Sequence, residues 1–556
     1  MHDESVPVLI VGGSLVGLSA SVFLSRHGVQ SLLVERRATT SMSRFPRAWG
    51  FNPRTVELFR AAGLEDDVRA AEAAGMPSAA RGGGLLRAES LAGRELQWIH
   101  PTMPDLTELS PSRWAMCSQH RVEPVLLARA TELGGRLCFG TELVSFERDG
   151  EGVTARLRDR TSGQERTVHA SFLVAADGSR GQVREQLGIA VQDLGTTAHR
   201  LAILFRADLR EALRDRHFII CYVMNEEVRG GVLEPVDDDG HWQLDVPYHP
   251  ERGETPDDFD DARCVALIQA AVGVPGLEVE LVSRLSWVAG ARIADRFSDG
   301  RVHLAGDSAH VMPPTGALGA NTGIQDAHNL AWKLALVIRG TAAPALLDTY
   351  DAERRPVGEH TIRQSLAIFA QRVGGPGGPG GPGGPGGRPN GPGGPPGGRP
   401  GGPGPADDVT TWLGYRYRSG AVLDDGEGGG LVEDPRQPSG RPGSRAAHVA
   451  LRHNGSTSST LDLFGRGFVL LAGPDGGAWA SGAEAAAREL RAPVDVHRVG
   501  APLLDEGGRW AAAYGVSPSG ASLVRPDGFV AWRAREAAGE DADRVLRQAL
   551  GRLLGR

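Results

Sequence analysis

The sequence predicts an α/β protein built round a parallel sheet, combined with a mixed β-sheet and followed by a second, smaller α/β unit. Three observations predict it. The chain opens with a β-α-β pattern, in which the apolar run Val6 to Val11 enters a glycine turn and a helix-forming stretch. Two later apolar strands, ending near Asp177 and near Asp307, run into glycine turns in the same way. A tract of almost pure Gly and Pro, Gly374 to Pro405, then separates a carboxy-terminal portion.

The bulk properties set the frame. A chain of 556 residues exceeds the usual size of one domain, and 40% hydrophobic residues is ordinary for a globular protein. The formal net charge of −8 argues against a general affinity for nucleic acid or anionic membranes. Four cysteines, Cys117, Cys138, Cys221 and Cys264, form no CxxC or metal-ligand spacing, so no metal site is expected and the thiols read as incidental in a reducing compartment. The acidic start Met1-His2-Asp3-Glu4 lacks the features of a secretory signal, and no apolar run is long enough to span a membrane. A soluble, cytoplasmic protein is expected.

Each element follows from its local pattern. Val6 to Val11 suits a buried parallel strand, Gly17 to His27 a helix, and Ser31 to Val34 the second strand. Leu201 to Leu285 is strand-rich; there Tyr222, Met224, Arg229 and Trp242 read either as a pocket lining or as sheet core. Gln325 to Arg339 reads as a long helix. The Gly/Pro tract (374–406) has almost no apolar side chains to bury, so it reads as a disordered linker. Its GGP repeats resemble collagen, but their register breaks at Arg388-Pro389-Asn390. Beyond it, Phe468 to Leu471, Gly482 to Leu490, Val494 to Val496, and the pair Ala521 to Arg525 and Phe529 to Trp532 give strand, helix, strand and hairpin.

Three segments carry chemistry. In Val11-Gly12-Gly13-Ser14-Leu15-Val16-Gly17, Gly12 permits a tight turn and Gly17 close packing of helix on strand. The helix amino terminus offers N–H groups and a positive dipole end to a pyrophosphate. Ser14 replaces the middle glycine of G-x-G-x-x-G, so this motif alone is weak. Glu35, at the end of the second strand, stands where a carboxylate accepts from ribose hydroxyls, with Arg36 beside it. The second segment, Phe172 to Arg180, ends in Asp177-Gly178. The third, Val302 to Gly323, passes through Gly306-Asp307, a rigid Pro313-Pro314 and a glycine-rich loop that opens the long helix.

Together these segments resemble the fingerprints of class A flavoprotein monooxygenases, the p-hydroxybenzoate-hydroxylase-like FAD enzymes, from residue 6 to about 372. Phe45-Pro46-Arg47-Ala48, Trp287 to Arg292 and the carboxy-terminal unit look like the group that tailors aromatic polyketides. The resemblance implies a Rossmann-like FAD-binding domain (1–190 and 286–373, with part of 80–115 in the substrate domain). It also implies a substrate-binding β-sheet domain (191–285), the linker, and a thioredoxin-like domain (440–556) lacking cysteines. By position, Gly12, Ser14 and Gly17 would face the pyrophosphate and Glu35 the adenosine ribose, with Arg47 beside the flavin and Gln119 near it. Gly306 and Asp307 would meet the ribityl or pyrophosphate region, and Gly319, Ala320 and Asn321 would offer backbone N–H groups to the flavin pyrimidine edge. Asp177 and Gly178 resemble the segment tied to both FAD and NAD(P)H, although Gly181 stands where the family often has serine.

The implied reaction uses NAD(P)H and O2 to hydroxylate an aromatic substrate through a flavin C4a-hydroperoxide. Catalytic candidates are Pro314 as a wall near the flavin, Arg47, and Tyr222; no general base is visible, and His310 reads as a structural partner. A homodimer is among the expected assemblies. Baeyer–Villiger oxygenation, a flavin oxidase or reductase without oxygen transfer, and a non-catalytic FAD-binding regulator are the competing readings.

Overall fold

The computed structural model describes residues 4–40, 48–100, 102–228, 230–374, 407–453, 455–500, 502–538 and 541–556. Parallel strands Val302–Leu304, Glu165–Ala175, Glu4–Val11, Ser31–Glu35 and Arg136–Phe139 lie side by side in that order. Their Val, Leu and Ile runs suit strands covered on both faces, and Val8, Leu9 and Ile10 are fully buried. The register places Val11 opposite both Ala175 and Val34, and Ala175 opposite Leu304. Four strands therefore end at one level, and the three glycine-bearing segments leave the sheet side by side.

Two helices cover this edge. The opening helix is Leu15–Arg26, and the long helix Leu318–Ile338 packs against it. The long helix begins seven residues before the expected Gln325. Glycine and asparagine in Gly319-Ala320-Asn321 disfavour helix by propensity, but tertiary contacts override it. The Asn321 and Thr322 side chains bond back to the Ala317 and Leu318 carbonyls. Gly323 lets the helix lie on the Gly306 turn, because a Cβ there would come within 2.9 Å of Gly306 Cα.

A second, mixed sheet runs His310–Val311, Glu280–Ala294, Val191–Arg206, His241–Tyr248, Gly231–Pro235, Phe218–Val223, Gly84–Ala88 and Glu95–His100. Its strands alternate, as a sheet with two unlike faces must. Leu201, Ile203, Phe205, Trp242, Leu244, Val246, Leu233 and Cys221 form an apolar core with Cys264, Ile268 and Val272 of helix Asp261–Val272. The opposite face is polar. The register sets Tyr222 across from Arg87 and Val232, Val232 across from Asp245, and Glu234 across from Gln243.

The carboxy-terminal unit is a four-stranded sheet ordered Val494–Arg498, Phe468–Ala472, Ala521–Val524, Val530–Ala534. Helix Gly477–Leu490 joins its parallel pair, and helix Ala542–Leu553 packs on that helix. It is tied to the first unit through buried charge. Glu353, on helix Asp348–Phe369, accepts from Lys333 Nζ of the long helix at 2.8 Å, from Asn329 Nδ2 at 2.8 Å and from both terminal nitrogens of Arg525 at 2.5 and 2.8 Å. Arg525 also bonds Asp527, whose carbonyl takes a hydrogen bond from Arg54. The linker expected over 374–406 falls, apart from Gly374, outside the described residues. Among the described residues no helix is long and apolar enough to cross a membrane, and the four cysteines are free thiols, three of them buried.

Candidate active site

The site sits where the parallel strands end. Gly12 adopts φ +112°, and a Cβ on it would lie 2.1 Å from the Ala176 carbonyl oxygen; a Cβ on Gly17 would lie 1.9 Å from the Gly12 carbonyl oxygen. Both glycines are therefore dictated by backbone crowding. Ser14 is the N-cap residue of the opening helix, yet its side chain does not cap it. The hydroxyl instead donates to Glu123 at 2.6 Å and accepts from Gln119 Nε2 at 2.9 Å. The hydroxyl is thus committed to protein groups, which leaves only the backbone of Ser14 open at the helix end. Gln119 and Glu123, one turn apart on helix Gln119–Glu132, form the facing wall.

Glu35 is buried and accepts from the Gly13 N–H at 2.7 Å and from Arg37 through its backbone N–H and Nε at 2.8 and 3.0 Å. Burial alone would raise this carboxyl; the Arg37 and Gly13 hydrogen bonds outweigh it and hold it below the usual value. The arginine that orients Glu35 is Arg37. The expected Arg36 has an exposed side chain, and its carbonyl accepts from Arg160.

Asp177 folds inward. Its carboxylate accepts from Ser308 Oγ at 2.8 Å and from the Val183 N–H at 3.1 Å, while Ser308 Oγ accepts from the Gly178 N–H at 3.1 Å. Burial pushes the Asp177 carboxyl up despite these bonds. A Cβ on Gly181 would lie 2.2 Å from Asp177 Oδ1, so a larger residue there would require the Asp177 carboxylate to move.

The third segment has the firmest support. Gly306, at φ +63°, donates its N–H to Asp326 Oδ2 at 3.1 Å; the same carboxylate binds His310 Nε2 at 2.7 Å and Arg354 Nε at 2.7 Å, all fully buried. His310 is therefore a structural partner. Asp307 itself is solvent-accessible yet surrounded by protein, and that burial raises its carboxyl. A carboxylate of that kind stands on the wall of a cleft. Gly316 at φ +81° and Ala317 at φ +55° turn the chain into the long helix, and an alanine in the left-handed region is strained. Pro314 is exposed beside this turn, and Gly319 and Ala320 are half-exposed. Asn321 is a scaffold residue: its side chain bonds the Ala317 and Gly50 carbonyls and the Asn52 N–H. Arg47 lies outside the described residues, as does Arg229.

Tyr222 is on the polar face of the second sheet, whereas Trp242 belongs to its apolar core. Burial raises the Tyr222 phenol and Arg372 opposes that shift. Sequence reasoning missed Glu123, Arg37, Ser308, Asp326 and Arg354. Only the four-residue spacing of Gln119 and Glu123 carried a visible signal.

These features fit FAD. Two helix amino termini, a buried carboxylate at the end of the second strand, and crowded glycines at the strand ends form a cradle for a dinucleotide. Residues 5–365 match the family described as FAD binding domain, and residues 439–556 match that described as aromatic-ring hydroxylase, C-terminal. The chain belongs to the FAD-dependent aromatic-ring hydroxylases. It is an FAD-dependent monooxygenase that uses NAD(P)H and O2. This hydroxylase is 42% identical to aklavinone 12-hydroxylase of Streptomyces purpurascens, with all of both chains covered. It is 45% identical to 4-methyl-5-nitrocatechol 5-monooxygenase of a Burkholderia species, over 100% of this chain and 98% of that one. The structure of aklavinone-11 hydroxylase with FAD and aklavinone superposes with a TM-score of 0.89 at 41% identity, covering both chains fully.

Proposed function

We propose that the hydroxylase acts on a polycyclic aromatic of polyketide type. The observation that carries this is the full-length likeness to the complex of aklavinone-11 hydroxylase with FAD and aklavinone; the likeness to tetracenomycin A2 monooxygenase-dioxygenase of Streptomyces glaucescens, 41% over the whole chain, supports it. The residue roles follow from position. The backbone at Gly12, Ser14 and Gly17 holds the pyrophosphate with Gln119 beside it, and Glu35 takes the adenosine ribose. Gly306 and Asp307 meet the ribityl chain, and Asp177 and Gly178 the edge that NAD(P)H approaches. Backbone N–H groups at Gly319, Ala320 and Asn321 meet the flavin pyrimidine, where the dipole of the long helix favours negative charge. Pro314 walls the reacting side and Tyr222 lines the substrate face; the resemblance adds Arg47, which lies outside the described residues.

FAD supplies hydride acceptance and oxygen activation; the chain orients the ring, keeps water out and fixes which carbon is presented. We read the carboxy-terminal unit as thioredoxin-like, a reading its β-α-β pair, antiparallel hairpin and closing helix support. With no cysteine after Cys264 it has no dithiol chemistry, and its role is packing against the long helix. The test is NAD(P)H oxidation with a panel of anthraquinone and naphthacenequinone ligands, read together with product mass and NMR. A new phenol supports the reading, and a lactone replaces it with Baeyer–Villiger chemistry. Peroxide alone across the panel overturns oxygen transfer, and stimulation by nitrocatechols only overturns the polyketide class.

A further inference from the structure

The amino terminus of the opening helix is left uncapped by the residue best placed to cap it. Ser14 is the N-cap, and a serine there ordinarily accepts from the N–H groups two or three residues on. Here its side chain accepts from neither. The N–H groups of Leu15, Val16 and Gly17 meet no acceptor among the described residues, and the first bond into the helix runs from the Leu18 N–H to the Ser14 carbonyl at 2.9 Å. Ser14 and Val16 are half-exposed while Gly13, Leu15 and Gly17 are buried, so the helix end is accessible at those two positions.

A closed triangle holds the hydroxyl elsewhere. Ser14 Oγ donates to Glu123 Oε1 at 2.6 Å and accepts from Gln119 Nε2 at 2.9 Å, and Gln119 Nε2 also donates to Glu123 Oε1 at 2.7 Å. The only proton of the hydroxyl and one of its lone pairs are thereby used. Glu123 is fully buried on helix Gln119–Glu132, which packs against the opening helix, so the acceptor is fixed in place. Arg37, paired with Glu35 at 3.0 Å, is near enough to feel the Glu123 charge, so the buried anion is compensated.

We propose that Glu123 is a positioning residue for the cofactor: it holds the Ser14 hydroxyl away from the helix end, so that the serine does not cap its own helix and the N–H groups stay free for the FAD pyrophosphate. A glycine in the middle position of G-x-G-x-x-G has no side chain to restrain and needs no such partner. Serine brings an internal competitor for the same donors, and a carboxylate 109 residues away removes it. That competition is worth about as much as a serine cap, which sets the size of the effect. This role rests on the proposed place of the pyrophosphate at this helix end.

The test follows FAD leaving the diluted holoenzyme, read as the rise of free-flavin fluorescence, for Glu123→Leu in two backgrounds. With Ser14 present, E123L removes the acceptor at similar volume and the hydroxyl turns to its own helix, so FAD should leave about fivefold faster than from the parent. In S14G there is no hydroxyl to restrain, and adding E123L should change the release rate by less than about twofold. Glu123 has interactions beyond this triangle, and the comparison between backgrounds isolates the part that passes through Ser14. E123Q keeps an oxygen that accepts the serine proton and should release FAD within about twofold of the parent. Glu123→Met, pliant and of similar length, gives the same comparison if the leucine variant does not fold. Equal acceleration by E123L in both backgrounds, or a parent-like rate with Ser14 present, overturns the role of Glu123. Ser14→Asp tests the placement separately. Its carboxylate, repelled by Glu123, caps the helix and should expel the pyrophosphate, leaving less than about a tenth of the parent's FAD per chain. With FAD lost from S14D, the release rates bear on Glu123 alone; parent-like FAD content in S14D puts the pyrophosphate elsewhere, and the role of Glu123 falls with that placement.

Discussion

Replacing Glu353 by glutamine removes one charge from the buried cluster that joins the flavin-side helix to the carboxy-terminal unit, with little change of shape. Glu353, Lys333, Arg525 and Asp527 are two anions and two cations, each side chain at most 2% exposed. Glu353 also accepts from Ser419 Oγ at 2.6 Å. The substitution leaves two cations facing one anion, and breaking a buried pair in this way costs about 3–5 kcal/mol. Lys333 limits the loss. Burial already brings its amine down to about 8, against the pull of Glu353, so without Glu353 it gives up its proton near neutral pH. The double variant E353Q/K333M restores charge balance and should regain most of the stability. Unfolding of the FAD-loaded enzyme followed by flavin fluorescence should show Tm falling by roughly 3–4 °C in E353Q and by less than half of that in the double variant. A Tm within about 2 °C of the parent for E353Q, or additive losses in the double variant, would refute the argument that charge imbalance sets the cost.

Three further outcomes are expected. Gly17→Ala places a methyl 1.9 Å from the Gly12 carbonyl oxygen, so the purified protein should retain less than a tenth of the parent's FAD per chain, measured at 450 nm. Glu35→Gln keeps the shape but weakens the acceptor for ribose and for the Gly13 N–H, so FAD affinity by equilibrium dialysis should drop about tenfold; an unchanged value would remove Glu35 from the site. His303 is buried, and burial first, then Lys333, lower it to about 4 against an ordinary 6.5. Since the unfolded chain binds that proton more readily, His303 contributes stability that is full above pH 6.5 and lost as pH falls toward 4, about 3 kcal/mol in all. H303Q should flatten the stability profile in that window, and a profile as steep as the parent's would contradict it.

Much of the fold was legible because it rests on local rules. Apolar runs entering glycine turns mark parallel strands whose ends bind dinucleotides, and Gly12, Gly17, Asp177 and Gly306 all fall at that edge. The arginine that bonds Glu35 was not legible, because only the backbone's course past the strand end decides whether Arg36 or Arg37 turns inward. The long helix began earlier than its glycines suggested, because side-chain back-bonds and packing on Gly306 outweigh propensity.

The chain's own pattern thus determined the α/β class and the three glycine turns at strand ends, since each depends on residues close in sequence, and the family resemblance added the flavin. Tertiary structure alone decided what each polar side chain does. Ser14 spends its hydroxyl on Glu123, 109 residues away, and Asp326 fastens Gly306 through an ion cluster drawn from two helices. Glu234 and Asp245 differ only in the partners that the sheet brings to them. The energy of a charge or a hydrogen bond is set by its neighbours in space and by the water they exclude, and neither is written in the order of residues.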